Sequence, residues 1–347
     1  MILLRILLYP FSVLYDFVTR VRNFSYSAGL KKSHSFQVPV IAVGNLSVGG
    51  TGKTPMIEYL IRLLKTDFQI ATLSRGYGRN TRGVRIAGVS DTAKTLGDEP
   101  FQFYKKFKHE VVVAVGEKRA LAMPAILNET ATNLILLDDA FQHRAVSPCL
   151  SILLTSYSNP FYQDLVLPAG RLREARLGAA RADVIVVTKC DESIDEEEMI
   201  TVTKQVQNYA GSKPVFFTSI HHGQPTPIQG ATRCSHSVIL VSGIAQAAPL
   251  EEYVSSTFKL LRHFKFADHH RYNADDIQKI ISSAKASGTE VSILTTEKDM
   301  VKLSHPEFAS VWAGVPWFYL PIETRFVKNG AEFDKLIFKA AHGKAKS

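Results

Sequence analysis

Cysteine is scarce in this 347-residue chain. Cys149, Cys190 and Cys234 lie far apart and form no CxxC pair. An odd, scattered set excludes a disulfide framework and zinc-ligand spacing, and suits a reducing compartment. Acid is short relative to base: 41 Lys and Arg against 32 Asp and Glu leave a net charge of +9. A basic balance fits anionic partners, whether nucleotide, nucleic acid or an acidic lipid surface. No Arg/aromatic cluster and no low-complexity basic tail favours nucleic acid, so nucleic acid is not an expected partner. There is no internal repeat. Nor is there an unbroken apolar run of the roughly 20 residues that a spanning helix needs. Hydrophobic residues still make up 46% of the chain. That is ample for a core, and the length allows one large domain or two ordinary ones.

What is there begins at the N-terminus. Residues 1–18, MILLRILLYPFSVLYDFV, are apolar apart from Arg5, Ser12 and Asp16, and Arg20, Arg22, Lys31 and Lys32 follow. No small-residue cleavage site follows the run, and Arg5, Pro10 and Asp16 interrupt it as a spanning helix. It reads as a segment lying in a membrane interface, with leucines and aromatics in the acyl boundary and basic residues at the head groups. The alternative is a helix packed on its own domain.

The run Val40-Ile41-Ala42-Val43-Gly44-Asn45-Leu46-Ser47-Val48-Gly49-Gly50-Thr51-Gly52-Lys53-Thr54 joins a β-branched apolar stretch to a glycine-rich turn and a helical pattern. This is the shape of a phosphate-binding loop. Backbone N–H groups of Gly49, Gly50, Thr51 and Gly52 would wrap phosphates, Lys53 would reach the β and γ oxygens, and Thr54 would ligate Mg²⁺. The strict pattern asks for glycine where this chain has Ser47. Leu134 to Leu137 is a second apolar strand, ending in Asp138-Asp139, where a carboxylate can bind Mg²⁺ directly or through water.

Transfer to a hydroxyl also needs a proton acceptor. Asp98 and Glu99, in Gly97-Asp98-Glu99-Pro100, are candidates, as are Asp268, His269 and His270. A competing signal is Thr188-Lys189-Cys190-Asp191 after the strand Val184 to Thr188. It is similar to the guanine-reading NKxD run of GTPases, so a membrane-associated P-loop GTPase is the alternative reading.

Strand and helix patterns alternate through the chain, and the strands are continuously apolar, which predicts a mostly parallel sheet with helices on both faces. Asp195 and Glu198 have capping-box spacing and predict a helix start, not a metal cluster. The expected organisation is an interfacial helix with basic flank over 1–35, a P-loop core over 36–212, a Pro/Gly/Ser/His-rich linker over 213–235, and a smaller α/β domain over 236–347.

Taken in order, several runs resemble the lipid A 4′-kinase (tetraacyldisaccharide 4′-kinase) family. They are Val43-Gly44-Asn45 with Gly49 to Pro55, Ser74-Arg75-Gly76-Tyr77-Gly78, Gly97 to Pro100, Leu137-Asp138-Asp139-Ala140-Phe141-Gln142-His143, Pro168 to Glu174, Asp268-His269-His270 and Thr296-Glu297-Lys298-Asp299. Each is weak alone, and the ordered set is specific. Ser47 fits that family's loop. Ala140 stands where the family usually has Gly, which tightens backbone approach there.

The resemblance implies a P-loop-like kinase on the cytoplasmic face of the inner membrane of Gram-negative bacteria, peripheral or monotopic, facing an anionic lipid surface. It implies transfer of the γ-phosphate of ATP to the 4′-hydroxyl of an acylated glucosamine disaccharide 1-phosphate, giving lipid IVA. It further implies Asp98 as base with support from His269, and Mg²⁺ handled by Asp138 and Asp139 with Glu99. Arg75, Arg119, Arg171 and Arg173 would hold phosphates of nucleotide or lipid, and His143 would face substrate. Closure of the second domain would bring its His toward the first.

Overall fold

A computed structural model describes residues 2–229, 233–288, 290–304, 308, 312 and 314–343. The chain divides into two compact units, Met1–Ile220 with Thr324–Ser347, and His221–Glu323.

The first unit opens with helix α1 (Ile2–Ser27). It continues through β1 (Val40–Asn45), α2 (Lys53–Leu64), β2 (Ile70–Ser74), β3 (Arg85–Ile86), α3 (Ala93–Leu96), α4 (Asp98–Phe107), β4 (Val111–Val115), α5 (Arg119–Glu129), β5 (Leu134–Asp138), β6 (Leu150–Ser156), β7 (Val184–Thr188), α6 (Glu196–Ala210) and β8 (Val215–His222). In the second unit come β9 (Thr226–Gln229), β10 (Ser237–Ser242), α7 (Ala248–Thr257), β11 (Lys259–Lys265), α8 (Ala274–Ala286), β12 (Val291–Thr296), α9 (Glu297–Leu303) and β13 (Trp317–Leu320). Then β14 (Ile322–Phe326) and α10 (Gly330–His342) complete the chain.

The larger sheet runs β14-β8-β7-β6-β1-β5-β2-β4-β3. Six neighbouring pairs, from β8 through β4, are parallel, and β3 is antiparallel to β4. This is the expected class. Strand β1 lies between β5 and β6, so the loop after β1 sits at a crossover point, where open α/β sheets bind ligands. Every residue of β1 is buried, and its two faces serve two cores. Ile41 and Val43 pack with Met56, Ile57 and Leu60 of α2 and Phe103 of α4. Val40 and Ala42 pack with Ala122, Met123 and Ile126 of α5. Burying each large side chain on α2 contributes roughly 1.5–3 kcal/mol, which clamps the helix that begins at Lys53. The smaller sheet runs β11-β10-β12-β13-β9, parallel except for β9.

Two boundaries differ from the sequence expectation. The stretch expected as a linker carries β8 and β9, because Val215-Phe216-Phe217 supplies strand-forming apolar residues whose burial outweighs the nearby Gly and Pro. Residues 230–232 of that stretch lie outside the described residues, as do Met1 and 344–347 of the terminal segments. The end of the expected C-terminal domain belongs to the first unit instead. Phe333, Ile337 and Ala341 of α10 are buried in the core with Ile57 and Leu60, since α10 needs a partner for its apolar stripe.

Helix α1 packs in an unusual sense. Its buried stripe is polar: Ser12 and Thr19 are buried, with Asp16 and Asn23 half-buried at helical spacing. Its exposed side is apolar, including Leu4, Ile6, Leu7 (69% exposed), Phe11, Leu14, Phe17 (64%) and Phe24. Among the described residues no helix is long and apolar enough to cross a membrane.

Candidate active site

The phosphate loop is built from β1 outward. Gly52 immediately before α2 has φ 80°, a left-handed conformation that glycine adopts without strain, and leaves Lys53 and Thr54 in the first helical turn. Asn45, fully buried at the end of β1, ties the loop to itself: its Nδ2 donates to Ser47 O and Thr51 Oγ1, both at 2.7 Å. Its Oδ1 accepts from Lys53 Nζ at 3.4 Å. Gly44 is required for another reason: a Cβ there would lie 2.7 Å from Phe141 Cβ and N.

A second layer braces the loop from outside. Val48 N donates to Arg171 O at 2.8 Å and Arg173 N to Leu46 O at 2.7 Å. Ser47, in place of the glycine of the strict pattern, pairs with Leu172. The strap of residues 165–174 is itself held by α1. Ala169 N donates to Ser12 Oγ at 2.9 Å, Tyr15 Oη to Arg173 O at 3.2 Å, and Asn23 Nδ2 to buried Glu174 at 2.6 Å. The N-terminal helix and the phosphate loop therefore share one intermediary.

The acidic end of β5 lies beside the loop, with Asp138 in register with Val43. Asp138 is 1% exposed, and its Oδ1 has no hydrogen-bond partner among the described residues. Burial, then the charges of Glu99 and Asp139, push its pKa up to about 7 against the pull of Lys53 and Arg119. A buried carboxylate oxygen left unsatisfied, in the company of other acids, fits a divalent cation. Asp139, at φ 49°, turns the other way. Arg173 Nη1 donates to both its oxygens, and Lys53 Nζ lies 3.6 Å from Oδ1. Burial raises the Asp139 pKa, but Lys53 and Arg173 outweigh it and hold the carboxyl low.

Among the described residues no group of three or more His, Cys, Asp and Glu gathers to hold a metal alone. One hydroxyl, one or two carboxylates and phosphate oxygens are the donors that P-loop sites offer Mg²⁺. Thr54 and Asp138 fit that role.

Asp98 and Glu99 occupy the first turn of α4. Gly97 before them has φ 95°, and a Cβ there would meet Tyr77 O at 2.8 Å. The start of α4 is thereby packed against the turn after β2. Arg119 opens α5 and is buried; burial lowers its pKa while Asp138 and Asp139 oppose the shift. Its Nε has no hydrogen-bond partner among the described residues. His143 is held neutral, its pKa pushed down to about 4 by burial and then by Arg119, Arg22 and Arg75. Its Nε2 is also a buried atom without a hydrogen-bond partner among the described residues. Arg75 is exposed at the end of β2.

Lys53, Glu99, Arg119, Asp138, Asp139 and Arg173 thus form one electrostatic cluster, with His143 and Arg75 reached through Arg119. Arg171 differs: its guanidinium donates to Asp164 Oδ2 at 2.9 Å and Asn159 Oδ1 at 3.0 Å. The methyl of Ala140 packs into the core on the α5 side of the sheet.

The Thr188–Asp191 run has a structural task. Thr188 Oγ1 donates to Thr51 O at 2.9 Å, and Asp191 Oδ1 accepts from Ser193 N and Oγ. Thr188 braces the phosphate loop, so the likeness to a guanine-reading motif is not needed to explain it. The sequence offered Thr188 only a guanine-reading role, and gave Asn45 and Glu174 none beyond membership of family-like runs. For its bracing role Asn45 carried a signal, as a polar residue ending an otherwise apolar strand.

In the second unit, His269 has φ 59° and lies beside Asp268 and Lys298. His270 Nε2 is 2.9 Å from Asp276 Oδ2, and its ring stacks on Phe266.

The chain matches the tetraacyldisaccharide-1-P 4′-kinase family over residues 4–342. It is similar to the tetraacyldisaccharide 4′-kinase of Flavobacterium johnsoniae, 43% identical over 343 residues and 97% of each chain. It is 44% identical to that of Flavobacterium psychrophilum over 347 residues, 96% of each chain. Among solved structures it resembles LpxK from Aquifex aeolicus in complex with ATP, with a TM-score of 0.77 and 28% identity, over 98% of this chain and 100% of that one.

Proposed function

The chain belongs to the tetraacyldisaccharide-1-P 4′-kinase family, and we propose that it transfers the γ-phosphate of ATP to the 4′-hydroxyl of a tetraacylated glucosamine disaccharide 1-phosphate. The observation that carries this reading is the convergence of Lys53, Asp138 and Asp139 at the carboxyl ends of neighbouring parallel strands. That is the arrangement a triphosphate and its cation require.

In the proposed division of labour, loop N–H groups and Lys53 hold the β- and γ-phosphates. Thr54 and Asp138 would hold Mg²⁺, and the charge of Glu99 acts on Asp138. Bound Mg²⁺ offsets charge on the phosphate oxygens. Asp139, held by Arg173, keeps Lys53 in place. Asp98 accepts the proton of the 4′-hydroxyl as that oxygen bonds to the γ-phosphorus and the bond to the bridging β–γ oxygen breaks, leaving ADP. His269 is proposed to support this step. Arg75 and Arg119 are suited to phosphate oxygens, and neutral His143 to a hydrogen bond with substrate.

The substrate is an amphiphile, and the apolar exposed face of α1 supports a place for the enzyme on an anionic membrane surface, at its cytoplasmic side where ATP is found. The test is incubation with the disaccharide 1-phosphate and γ-labelled ATP. Label in the lipid product is expected. Absence of lipid-dependent label, or preference for GTP in competition, would overturn the reading.

A further inference from the structure

The run Thr296-Glu297-Lys298-Asp299 has no part in the chemistry described so far, yet the structure spends buried charge on it. Asp299 is fully buried. Its Oδ2 accepts from Gly243 N at 2.8 Å and from Thr296 Oγ1 at 2.7 Å, and its N donates to Thr296 Oγ1 at 3.0 Å. Lys302 Nζ lies 2.9 Å from its other oxygen. The start of α9 is thereby locked to the residue after β10, and a buried ionic lock of this kind fixes geometry more than it adds stability.

What the lock fixes is Lys298. Its Nζ reaches out of the α9 start to Asp268 Oδ1 at 3.0 Å and to His269 Nε2 at 3.3 Å. Asp268 Oδ1 also accepts from His269 N at 3.0 Å. His269 stands in the left-handed region at φ 59°, a conformation that needs support from its surroundings. The adjacent His270 has other partners, Asp276 and the Phe266 ring.

An ammonium group has three protons and no lone pair, so it can only donate. An imidazole nitrogen facing it must therefore be the unprotonated one. We propose that Lys298 is a positioning residue that holds Asp268 and His269 together and fixes His269 as the neutral tautomer, accepting at Nε2 and carrying its proton on Nδ1. This rests on the reading of His269 as a participant in transfer. It explains why a lysine, and not merely a helix cap, follows Thr296 at this spacing.

The test uses full-length protein labelled with ¹⁵N-histidine, with His269 assigned through His269→Asn. Two-bond ¹H–¹⁵N spectra at neutral pH are expected to show a protonated Nδ1 and an unprotonated Nε2. Lys298→Met, which keeps the aliphatic stem, should lose that pattern. It should also lower kcat on the order of tenfold while leaving KM for ATP unchanged. Lys298→Arg, which still donates, should retain the pattern and most of the rate. A protonated Nε2 in the unmodified protein, or Lys298→Met with unchanged pattern and kcat, would overturn the proposal. Full turnover by His269→Asn would instead remove His269 from the reaction, and the tautomer measurement would then judge Lys298 alone.

Discussion

Arg173 Nη1 donates to both carboxylate oxygens of Asp139, at 2.9 and 3.0 Å, while the Arg173 backbone N donates to Leu46 O in the phosphate loop. One residue thus sets both the loop and the acid that faces Lys53. Arg173→Lys keeps the charge but cannot reproduce the guanidinium geometry. We expect kcat to fall about tenfold or more. Arg171→Lys should cost less, because Arg171 is spent on Asp164 and Asn159. Steady-state kinetics of the two variants side by side decide the matter, and equal losses would contradict the distinction.

Lys53→Met should reduce transfer by on the order of a thousandfold, since a phosphate-loop lysine stabilises charge that develops on the transferring group. The helix it begins is held by Met56, Ile57 and Leu60 in the core. Circular dichroism and the melting temperature should therefore stay close to those of the parent. Retained turnover would remove Lys53 from the reaction.

Asn45→Ala removes the donor of Ser47 O and Thr51 Oγ1 from a fully buried position. Leaving buried acceptors unsatisfied costs about 1–3 kcal/mol. A loosened loop should also raise KM for ATP several-fold, with a smaller effect on kcat. Urea titration and ATP kinetics measure the two effects.

Asp138 gives a stability prediction with a definite sign. Its folded pKa, about 7, lies above its ordinary value of 3.8. Between those values the folded state holds a proton that the unfolded chain has released, so this stabilising contribution is complete below about pH 4 and lost as pH rises through 7. His143 acts in the opposite sense, since its pKa of about 4 lies below 6.5 and stability falls as pH drops through that window. The contrast between Asp138→Asn and the parent isolates the first effect. Without nucleotide, Asp138→Asn should be more stable than the parent at pH 8, by on the order of 1 kcal/mol, with the gap narrowing at pH 5. Denaturant titration at both pH values measures it.

Replacing Leu7 and Phe17, both exposed on α1, with Glu should release the protein from vesicles containing anionic lipid. The polar stripe with Ser12 and Asn23, which contacts the strap, is left intact. Turnover of a short-chain, water-dispersed acceptor should then persist. Unchanged sedimentation with vesicles would rule out the apolar face as the membrane contact.

The phosphate loop, the acid pair after β5 and the alternation of strand and helix were legible because each is local. Glycine spacing, apolar runs and a carboxylate at a strand end are written in consecutive residues. The same local rules failed at 213–229, where Gly and Pro suggested a linker although Val215 to His222 pairs beside β7. They also gave no warning that α10 packs against α2, because the partner of an apolar stripe is chosen by space left in a core and not by its own sequence.

The order of motifs by itself determined the family and the triphosphate, and pointed to an acid pair suited to Mg²⁺, since such residue types and spacings are set by the phosphate and its cation. Only the tertiary structure decided which of the four arginines are tied to partner side chains. It also gave Ser47 a pairing role with Leu172 and left Asp138, not Asp139, with an oxygen unpartnered among the described residues. It turned the polar stripe of α1 inward and its apolar face out. The physical reason is the same in each case. Charge, burial and hydrogen-bond satisfaction depend on groups that lie far apart in the chain, and folding brings them within reach of one another.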